Sequence, residues 1–141
     1  MESKGILKST REFEAFRISA KDTNRMAIIF DPHADGTDFV ATVEIFDEDG
    51  ATPPNTHQKA DEFFFVLKGE GIASCDGQSQ SIQTGSALLV KPGAEHVIKN
   101  TGEGRLYVLT MMVPDEDFAA LIRNGVPAEL DQADLDVLER L

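Results

Sequence analysis

The sequence predicts a single all-β domain, a sandwich or a barrel, that is followed by two short helices. Before Pro114, short apolar runs alternate with clusters of Gly, Asp, Asn and Pro every eight to twelve residues or so, which is typical of such folds. After Pro114, the apolar residues recur at helical spacing. The chain has 141 residues, the length of one ordinary domain. We therefore predict one domain over residues 1–141, with a β-core at 25–113 and a helical segment at 114–141.

The strands are predicted where an apolar run is bounded by turn residues. They are Arg25–Phe30, Asp38–Phe46, Glu62–Leu67, Gly71–Cys75, Gln78–Ile82, Ala87–Val90, His96–Asn100 and Arg105–Val113. Asp76-Gly77 predicts a two-residue hairpin, because glycine accepts a positive φ. Two more turns are predicted at Asp47–Gly50 and Thr101–Gly104.

Two of these strands differ in their apolar pattern. In Asp38–Phe46, Thr42 and Glu44 alternate with apolar residues, so this strand is predicted to be half exposed. The apolar residues of that strand are Phe39, Ala41, Val43 and Ile45. Glu62–Leu67 is apolar on both faces, so its outer face requires cover from a second sheet, a helix or another copy of the chain. The outer residues are Phe63, Phe65 and Leu67.

The C-terminal segment is predicted to form two helices that cover the β-core and take no part in a site. Asp115–Asp117 begins the first helix, at the end where the helix dipole favours negative charge. An apolar stripe starts at Phe118, and Gly125 ends this helix. Asp131 is predicted to cap the second helix, which carries Leu135 on its apolar face.

Charge and composition exclude several classes of protein. Lys and Arg total 13 and Asp and Glu total 25, which gives a net charge of −12. Nucleic acids and anionic membranes bind cationic patches, so neither is expected as a partner. No apolar run approaches the ~20 residues that span a bilayer, and the N-terminus lacks the apolar region of a secretion signal. Cys75 is the single cysteine, so no internal disulfide forms. These features predict a cytoplasmic protein.

Two of the three histidines lie in segments that indicate a metal site. Asn55 and His57 are two residues apart, so an extended chain places both on one face, and Glu62 begins an apolar strand. A carboxylate that enters an apolar interior requires a charged partner or a metal. Pro92-Gly93 forms a tight turn that leads to His96. Two imidazoles and one carboxylate leave coordination positions open on a divalent metal ion. Taken singly, each histidine also fits a hydrogen-bonded surface residue.

The two segments resemble the paired motifs of the cupin superfamily of small β-barrels, G-x5-HxH-x3/4-E-x6-G and G-x5-PxG-x2-H-x3-N. Here they read His57-x4-Glu62-x6-Gly69 and Gly85-x6-Pro92-Gly93-x2-His96-x3-Asn100. The resemblance covers residues 38–113 and implies a cupin-like double-stranded β-helix, or jelly roll. It also implies that His57, Glu62 and His96 bind one divalent metal ion, either Fe, Zn, Ni or Mn.

The sequence departs from the family pattern at one position that matters for the metal. Asn55 stands where metal-binding cupins have the first histidine of the HxH pair. An amide oxygen is a weaker ligand for a transition metal than imidazole, so Asn55 is a fourth and weaker candidate ligand. Loss of this histidine is also how some cupins come to be metal-free. The other departures, at Gly50 and Lys91, lie in turns.

Strand alternation assigns the pocket walls. Phe64 and Val66 share a face with Glu62, and Ile98 shares a face with His96. No residue is assigned as catalytic. Outside the pocket, His33 is predicted to be exposed, Cys75 to pack as a small apolar residue, and Asn100 to form a turn. Arg105 and Tyr107 alternate with Leu106 and Val108, and the sequence leaves open which pair faces inward.

Three functions fit these features. The first is a mononuclear-metal enzyme, an oxygenase, isomerase or lyase, that acts on a small organic molecule. The second is a non-catalytic module that binds or senses a small ligand, with or without metal, and Asn55 favours it. The third is a structural protein in which His57 and His96 only satisfy hydrogen bonds. A homodimer is also predicted, because the outer face of Glu62–Leu67 requires cover.

Overall fold

The computed structural model describes residues 4–140, in which ten strands form two antiparallel sheets. The strands are β1 (Glu14–Arg17), β2 (Asn24–Phe30), β3 (Val40–Phe46), β4 (Asp61–Lys68), β5 (Glu70–Cys75), β6 (Gln78–Gln83), β7 (Ala87–Val90), β8 (His96–Asn100), β9 (Leu106–Val113) and β10 (Val126–Ala128). The α-helices are α1 (Pro32–Asp35), α2 (Phe118–Arg123) and α3 (Gln132–Arg140), and a 3-10 turn spans Thr10–Glu12. The fold is a jelly-roll sandwich, as the sequence predicts.

The large sheet has seven strands in the order β10-β1-β2-β3-β9-β4-β7, and the small sheet has the order β6-β5-β8. The Asp76-Gly77 turn joins β5 to β6, with Cys75 opposite Gln78, which confirms the predicted hairpin. Both turn residues have positive φ, 49° and 80°, as a tight two-residue turn requires.

The strand register places a stack of side chains in the space between the two sheets. Residues that pair directly across strands point to the same side of a sheet, and positions two apart continue on that side. The stack has three successive rows, which are Val40/Met112/Glu62, Thr42/Thr110/Phe64 and Glu44/Val108/Val66. Phe64, Val66 and Val108 pack against Ala73 and Ile98 of the small sheet. This stack is therefore the interior of the sandwich.

β3 is buried along its whole length, so the prediction of a half-exposed strand is wrong. Phe46 packs toward the small sheet. On the opposite face, Val43 and Ile45 pack against Val137 of α3. The alternation was misleading because Thr42 and Glu44 point into the sandwich interior and the apolar face is covered by a helix.

Two strands lie outside the predicted β-core at 25–113. β1 and β10 pair with each other, with Ala15 opposite Ala128, and extend the large sheet beyond β2. Each is only three or four residues long, so neither shows the alternation that identifies a strand. Segment 114–141 is therefore not entirely helical.

The structure confirms both predicted C-terminal helices, as α2 and α3. Asp131 Oδ1 accepts a hydrogen bond from the main-chain N–H of Asp134 at 3.0 Å, which caps α3. Gly125 follows α2, and a Cβ atom there would clash with the main-chain carbonyl oxygen of Arg17. Among the described residues, no helix is long and apolar enough to cross a membrane.

The remaining single-residue expectations have clear outcomes. Asn100 forms a turn, because its Nδ2 donates to the carbonyl oxygens of Asp47 at 3.0 Å and Gly104 at 2.9 Å. His33 is exposed, and Cys75 is half-buried beside the core. On β9, Leu106 and Val108 face the small sheet, whereas Tyr107 packs in the cluster that includes α3.

Candidate metal centre

Three side chains, those of His57, Glu62 and His96, converge at one end of the sandwich interior. Glu62 Oε1 lies 3.0 Å from His57 Nε2 and 2.8 Å from His96 Nε2. One possible ligand atom from each residue lies within 4.8 Å of the other two. Atoms that each lie about 2.1 Å from a shared ion are roughly 3 Å or more apart. The spacing therefore suits three ligands of one metal ion.

Three different segments position these side chains. Glu62 is the second residue of β4, where it pairs with Val90 of β7. His96 begins β8 and follows a turn in which Gly93 has a φ of 87°. His57 lies in the loop between β3 and β4, and its carbonyl oxygen accepts a hydrogen bond from Gly93 N–H at 2.8 Å. That hydrogen bond ties the two histidine-bearing segments together.

The second ring nitrogen of His96 fixes the orientation of the ring. Nδ1 lies 3.1 Å from the carbonyl oxygen of Ala94. In the neutral ring with its proton on Nδ1, that proton donates to this oxygen and the Nε2 lone pair faces Glu62, the arrangement that metal-binding histidines use. In the protonated ring, Nε2 instead donates to Glu62. A lone pair facing a carboxylate oxygen requires a proton or a cation between them. The donor set of two imidazoles and one carboxylate fits a divalent transition metal ion.

The electrostatics of Glu62 and His96 favour a cation between them. Burial alone would raise the pKa of Glu62, but the hydrogen bonds from His57 and His96 outweigh it, and the pKa is lowered. Burial alone would lower the pKa of His96, but the hydrogen bond to Glu62 outweighs it, and the pKa is raised. Glu62 is thus held as a carboxylate that attracts positive charge.

Asn55 lies next to this cluster. Its main chain pairs with that of His96, with N–H···O distances of 3.1 and 2.9 Å in the two directions. Asn55 is half-buried and lines the same cavity as Glu62 and His96. The strand pairing therefore brings the fourth candidate ligand to the site, and its bond to a metal remains a prediction.

A cavity of about 140 Å³ adjoins the cluster between the two sheets. Of the predicted walls, Phe64 and Ile98 line this cavity, and Val66 does not. Val66 is buried in the core cluster instead, because it lies one row further from Glu62 than Phe64 does.

Helix α2 contributes to the cavity wall, so the expectation that the C-terminal helices only cover the β-core and take no part in a site needs correction. Phe118 and Leu121 line the cavity beside Phe64. The ring of Phe118 also lies edge-on to that of His57, with the ring centres 6.3 Å apart. The apolar spacing of α2 indicated a buried face, but no sequence signal showed what that face covers.

A second polar group in the cavity was not predicted from the sequence. Glu44 and Asn24 both line it, and Asn24 Nδ2 donates to Glu44 Oε2 at 2.8 Å. Burial raises the pKa of Glu44 to about 8, although the hydrogen bond from Asn24 opposes the shift. The sequence signal that could have indicated Glu44 is a carboxylate within an otherwise largely apolar strand. Alternation of apolar and polar residues instead assigned Glu44 to the solvent-exposed face.

Comparison with known proteins identifies the fold family. The model of the cupin domain family matches residues 42–112, which is half of the chain. The chain belongs to the cupin family. This match runs from within β3 to within β9 and includes Glu62 and His96.

A curated relative of this cupin is an uncharacterized protein of Methanocaldococcus jannaschii. The two are 26% identical over 58 residues, which are 41% of this chain and 46% of the relative. The aligned segment thus spans less than half of that protein.

Crystal structures of other cupins share the fold. One is described as a predicted oxalate decarboxylase from Thermotoga maritima, with a TM-score of 0.70 and 22% identity over 77% of this chain and 99% of that one. Another is an RmlC-like cupin from Shewanella frigidimarina, with a TM-score of 0.65 and 17% identity over 79% of this chain and 93% of that one. Identities this low establish the common fold alone.

Proposed function

We propose that this cupin binds one divalent metal ion through His57, Glu62 and His96 and acts on a small organic molecule in the adjoining cavity. The observation that carries the proposal is the convergence of two imidazole Nε2 atoms on one carboxylate oxygen at the cavity wall. A site of this kind supports oxygenase, isomerase or lyase chemistry. Decarboxylation, the reaction named for the Thermotoga maritima cupin, is one reaction of the lyase kind.

A bound metal ion would supply Lewis-acid polarisation of a substrate oxygen, or redox chemistry if it is iron or manganese. The protein supplies the geometry. Ala94 fixes the ring of His96, and the buried carboxylate of Glu62 balances positive charge. Phe64 and Phe118 contribute apolar surface to the cavity wall. Asn55, as a weak fourth ligand, would leave a position that a substrate can take.

Metal binding tests the proposal directly. Titration with Zn²⁺ against a competing chelator should give one site per chain for the wild type. His57→Asn removes the half-buried imidazole of the cluster. It should lower the affinity for Zn²⁺ by about tenfold or more, because even residues that only support a metal ligand affect metal affinity on this scale. His33→Asn is the matched control, because His33 is exposed and should leave the affinity unchanged. Absence of a stoichiometric site in the reconstituted wild type would exclude the metal function.

One observation favours a non-catalytic binding or sensing module as the second candidate. Asn55 replaces an imidazole with a weaker ligand, which reduces the expected metal affinity. Ligand binding that is equally tight with and without metal would support this candidate. Ligand binding that requires the metal would support the enzyme.

A further inference from the structure

The titratable groups that line the cavity are three carboxyl groups and the imidazole of His96. Asp22, Glu44 and Glu62 contribute carboxyl groups, and no Lys or Arg is among the described residues that line the cavity. The nearby Arg17 guanidinium is engaged elsewhere, since it donates to the main-chain carbonyl of Asp22 at 2.8 Å and pairs with Asp47 at 3.6 Å. Carboxyl groups therefore outnumber basic groups on the cavity wall, which favours a cationic ligand over a free carboxylate.

Asp22, Asn24 and Glu44 form one connected group, which we call the acidic pole. Asp22 Oδ1 accepts from the main-chain N–H of Asn24 at 2.9 Å, and Asn24 Nδ2 donates to Glu44 Oε2 at 2.8 Å. Glu44 is only 5% exposed. Its other oxygen, Oε1, has no hydrogen-bond partner among residues 4–140, and the side chain forms no ion pair within that range. Oε1 is not one of the buried side-chain atoms without a partner among these residues, so it is accessible from the cavity, where a ligand can reach it.

We propose that the acidic pole binds the ammonium group of a small aliphatic primary amine. This inference rests on the proposed function, because it takes the same cavity as the binding site of the substrate. An ammonium group offers three donors, which match the free oxygen of Glu44 and the carboxylate of Asp22. The walls made by Met26, Ile98 and Leu121 are apolar and suit a hydrocarbon chain. They favour an amine over a hydrated metal ion at the acidic pole, because a metal ion has no apolar part.

Size limits the amine to a short chain. A cavity of roughly 150 Å³ in another protein holds benzene, a ring of six carbon atoms. The cavity of about 140 Å³ here has the same capacity. An amine with a four-carbon chain fits within this limit.

The protonation of Glu44 is consistent with this ligand. Its pKa of about 8 keeps the carboxyl group uncharged at neutral pH while the cavity holds no cation. Burial is the main cause, the carboxylates of Asp22 and Glu62 add to it, and Asn24 and His96 oppose it. An arriving ammonium group would favour the ionised form, and the released proton would pass to solvent.

The test compares three molecules that share one hydrocarbon chain, butylamine, butanol and butyrate. Each is titrated into the metal-free and the Zn²⁺-loaded protein, with dissociation constants taken from NMR shift changes. Butylamine should bind about tenfold or more tightly than either of the others, because hydrogen bonds to charged groups are the stronger ones. Equal affinities, or tighter binding of butanol, would overturn the proposal.

Variants localise the binding. Glu44→Gln keeps the size and the acceptor for Asn24 but removes the charge, and it should weaken butylamine about tenfold without weakening butanol. Asp22→Asn, at a half-buried position, should act in the same direction. Glu70→Gln makes the same charge change at an exposed position and should have no effect. Unchanged butylamine binding in both cavity variants would overturn the proposal. Butylamine binding by a protein that binds no Zn²⁺ would uphold the amine proposal and would exclude the proposed metal function.

Discussion

At the scale of single residues, Asn55 determines how tightly the site is expected to hold a metal. It lies beside His96 on the cavity wall, at the position where the cupin motif has the first histidine of its HxH pair. With His57, Glu62 and His96 as the proposed ligands, a weak ligand at residue 55 would leave a coordination position that exchanges readily. The same substitution that weakens the metal site can therefore open it to a substrate.

Asn55→His should raise the affinity for Zn²⁺ by about tenfold or more, because a gained ligand contact is worth on the order of 1–3 kcal/mol. Chelator competition on wild type and variant gives both affinities. Asn124→His is the matched control, because Asn124 is exposed after α2 and far along the chain from the cluster. Equal affinities for Asn55→His and the wild type would mean that residue 55 does not reach the ion.

The sequence could predict the members of this cluster that a spacing pattern links. His57, Glu62 and His96 stand at the positions of a known motif, and strand alternation added Phe64 and Ile98. Glu44 could not be found in this way, because it comes to the cavity through the pairing of β3 with β9. Phe118 reaches the cavity through the packing of α2, which the sequence does not show.

At the scale of secondary-structure elements, Asp134 fixes α3 to the large sheet. Its side chain is fully buried and accepts hydrogen bonds from Tyr107 Oη at 2.8 Å, Arg105 Nη1 at 2.9 Å and Arg25 Nη2 at 3.0 Å. Burial alone would raise the pKa of Asp134, but the hydrogen bonds from Arg25, from the main-chain N–H of Asp131 and from Tyr107 lower it to about 2. The helix that covers β3 is thus held by a buried ion pair.

Asp134→Asn should lower the free energy of unfolding by about 3–5 kcal/mol, because it leaves the buried guanidinium of Arg25 without its carboxylate. Urea denaturation measures the change. Asp136→Asn is the matched control on the same helix, because the Asp136 side chain is 43% exposed. A loss for Asp134→Asn no larger than that of the control would contradict the assignment.

The contribution of Asp134 should also depend on pH. A lowered carboxyl pKa adds stability above the unfolded-state value of 3.8, and this stability is lost as the pH falls toward about 2. The difference in unfolding free energy between wild type and Asp134→Asn should therefore be constant from neutral pH to about 4 and shrink below that. Denaturation curves at pH 7, 4 and 2.5 or so test this. A difference that does not change between the lowest and the highest pH would contradict it.

The elements themselves differ in how far the sequence predicts them. The hairpin at Asp76-Gly77 and the cap at Asp131 depend on local chemistry, and both were predictable. The burial of β3 depends on what covers it, and α3 follows it by more than eighty residues along the chain. β10 pairs with β1 across an even longer stretch of chain, with Ala15 opposite Ala128, and a strand of three residues carries too little pattern to identify.

At the scale of the whole molecule, one apolar part of the large sheet has little cover. On the outer face, Leu67 packs in the cluster that includes α3. Phe63 pairs with Leu89 further along, where they are 38% and 56% exposed. Leu89 belongs to β7, which ends the sheet and has an open edge among the described strands. Helix α3 therefore covers one part of this face, and the β4/β7 end is exposed.

We expect the exposed end of β4 and β7 to pair with that of a second copy, which gives a homodimer. Burying Phe63 and Leu89 on both copies removes apolar surface from water, and edge strands pair readily. Light scattering at micromolar concentration should give twice the 15.4 kDa of one chain. Leu89→Glu should reduce the mass to one chain, because burying two unpaired carboxylates at the contact is costly. Ile72→Glu, at a residue 40% exposed on the small sheet, should remain dimeric. A wild-type mass of one chain would show that this apolar face lies open to water.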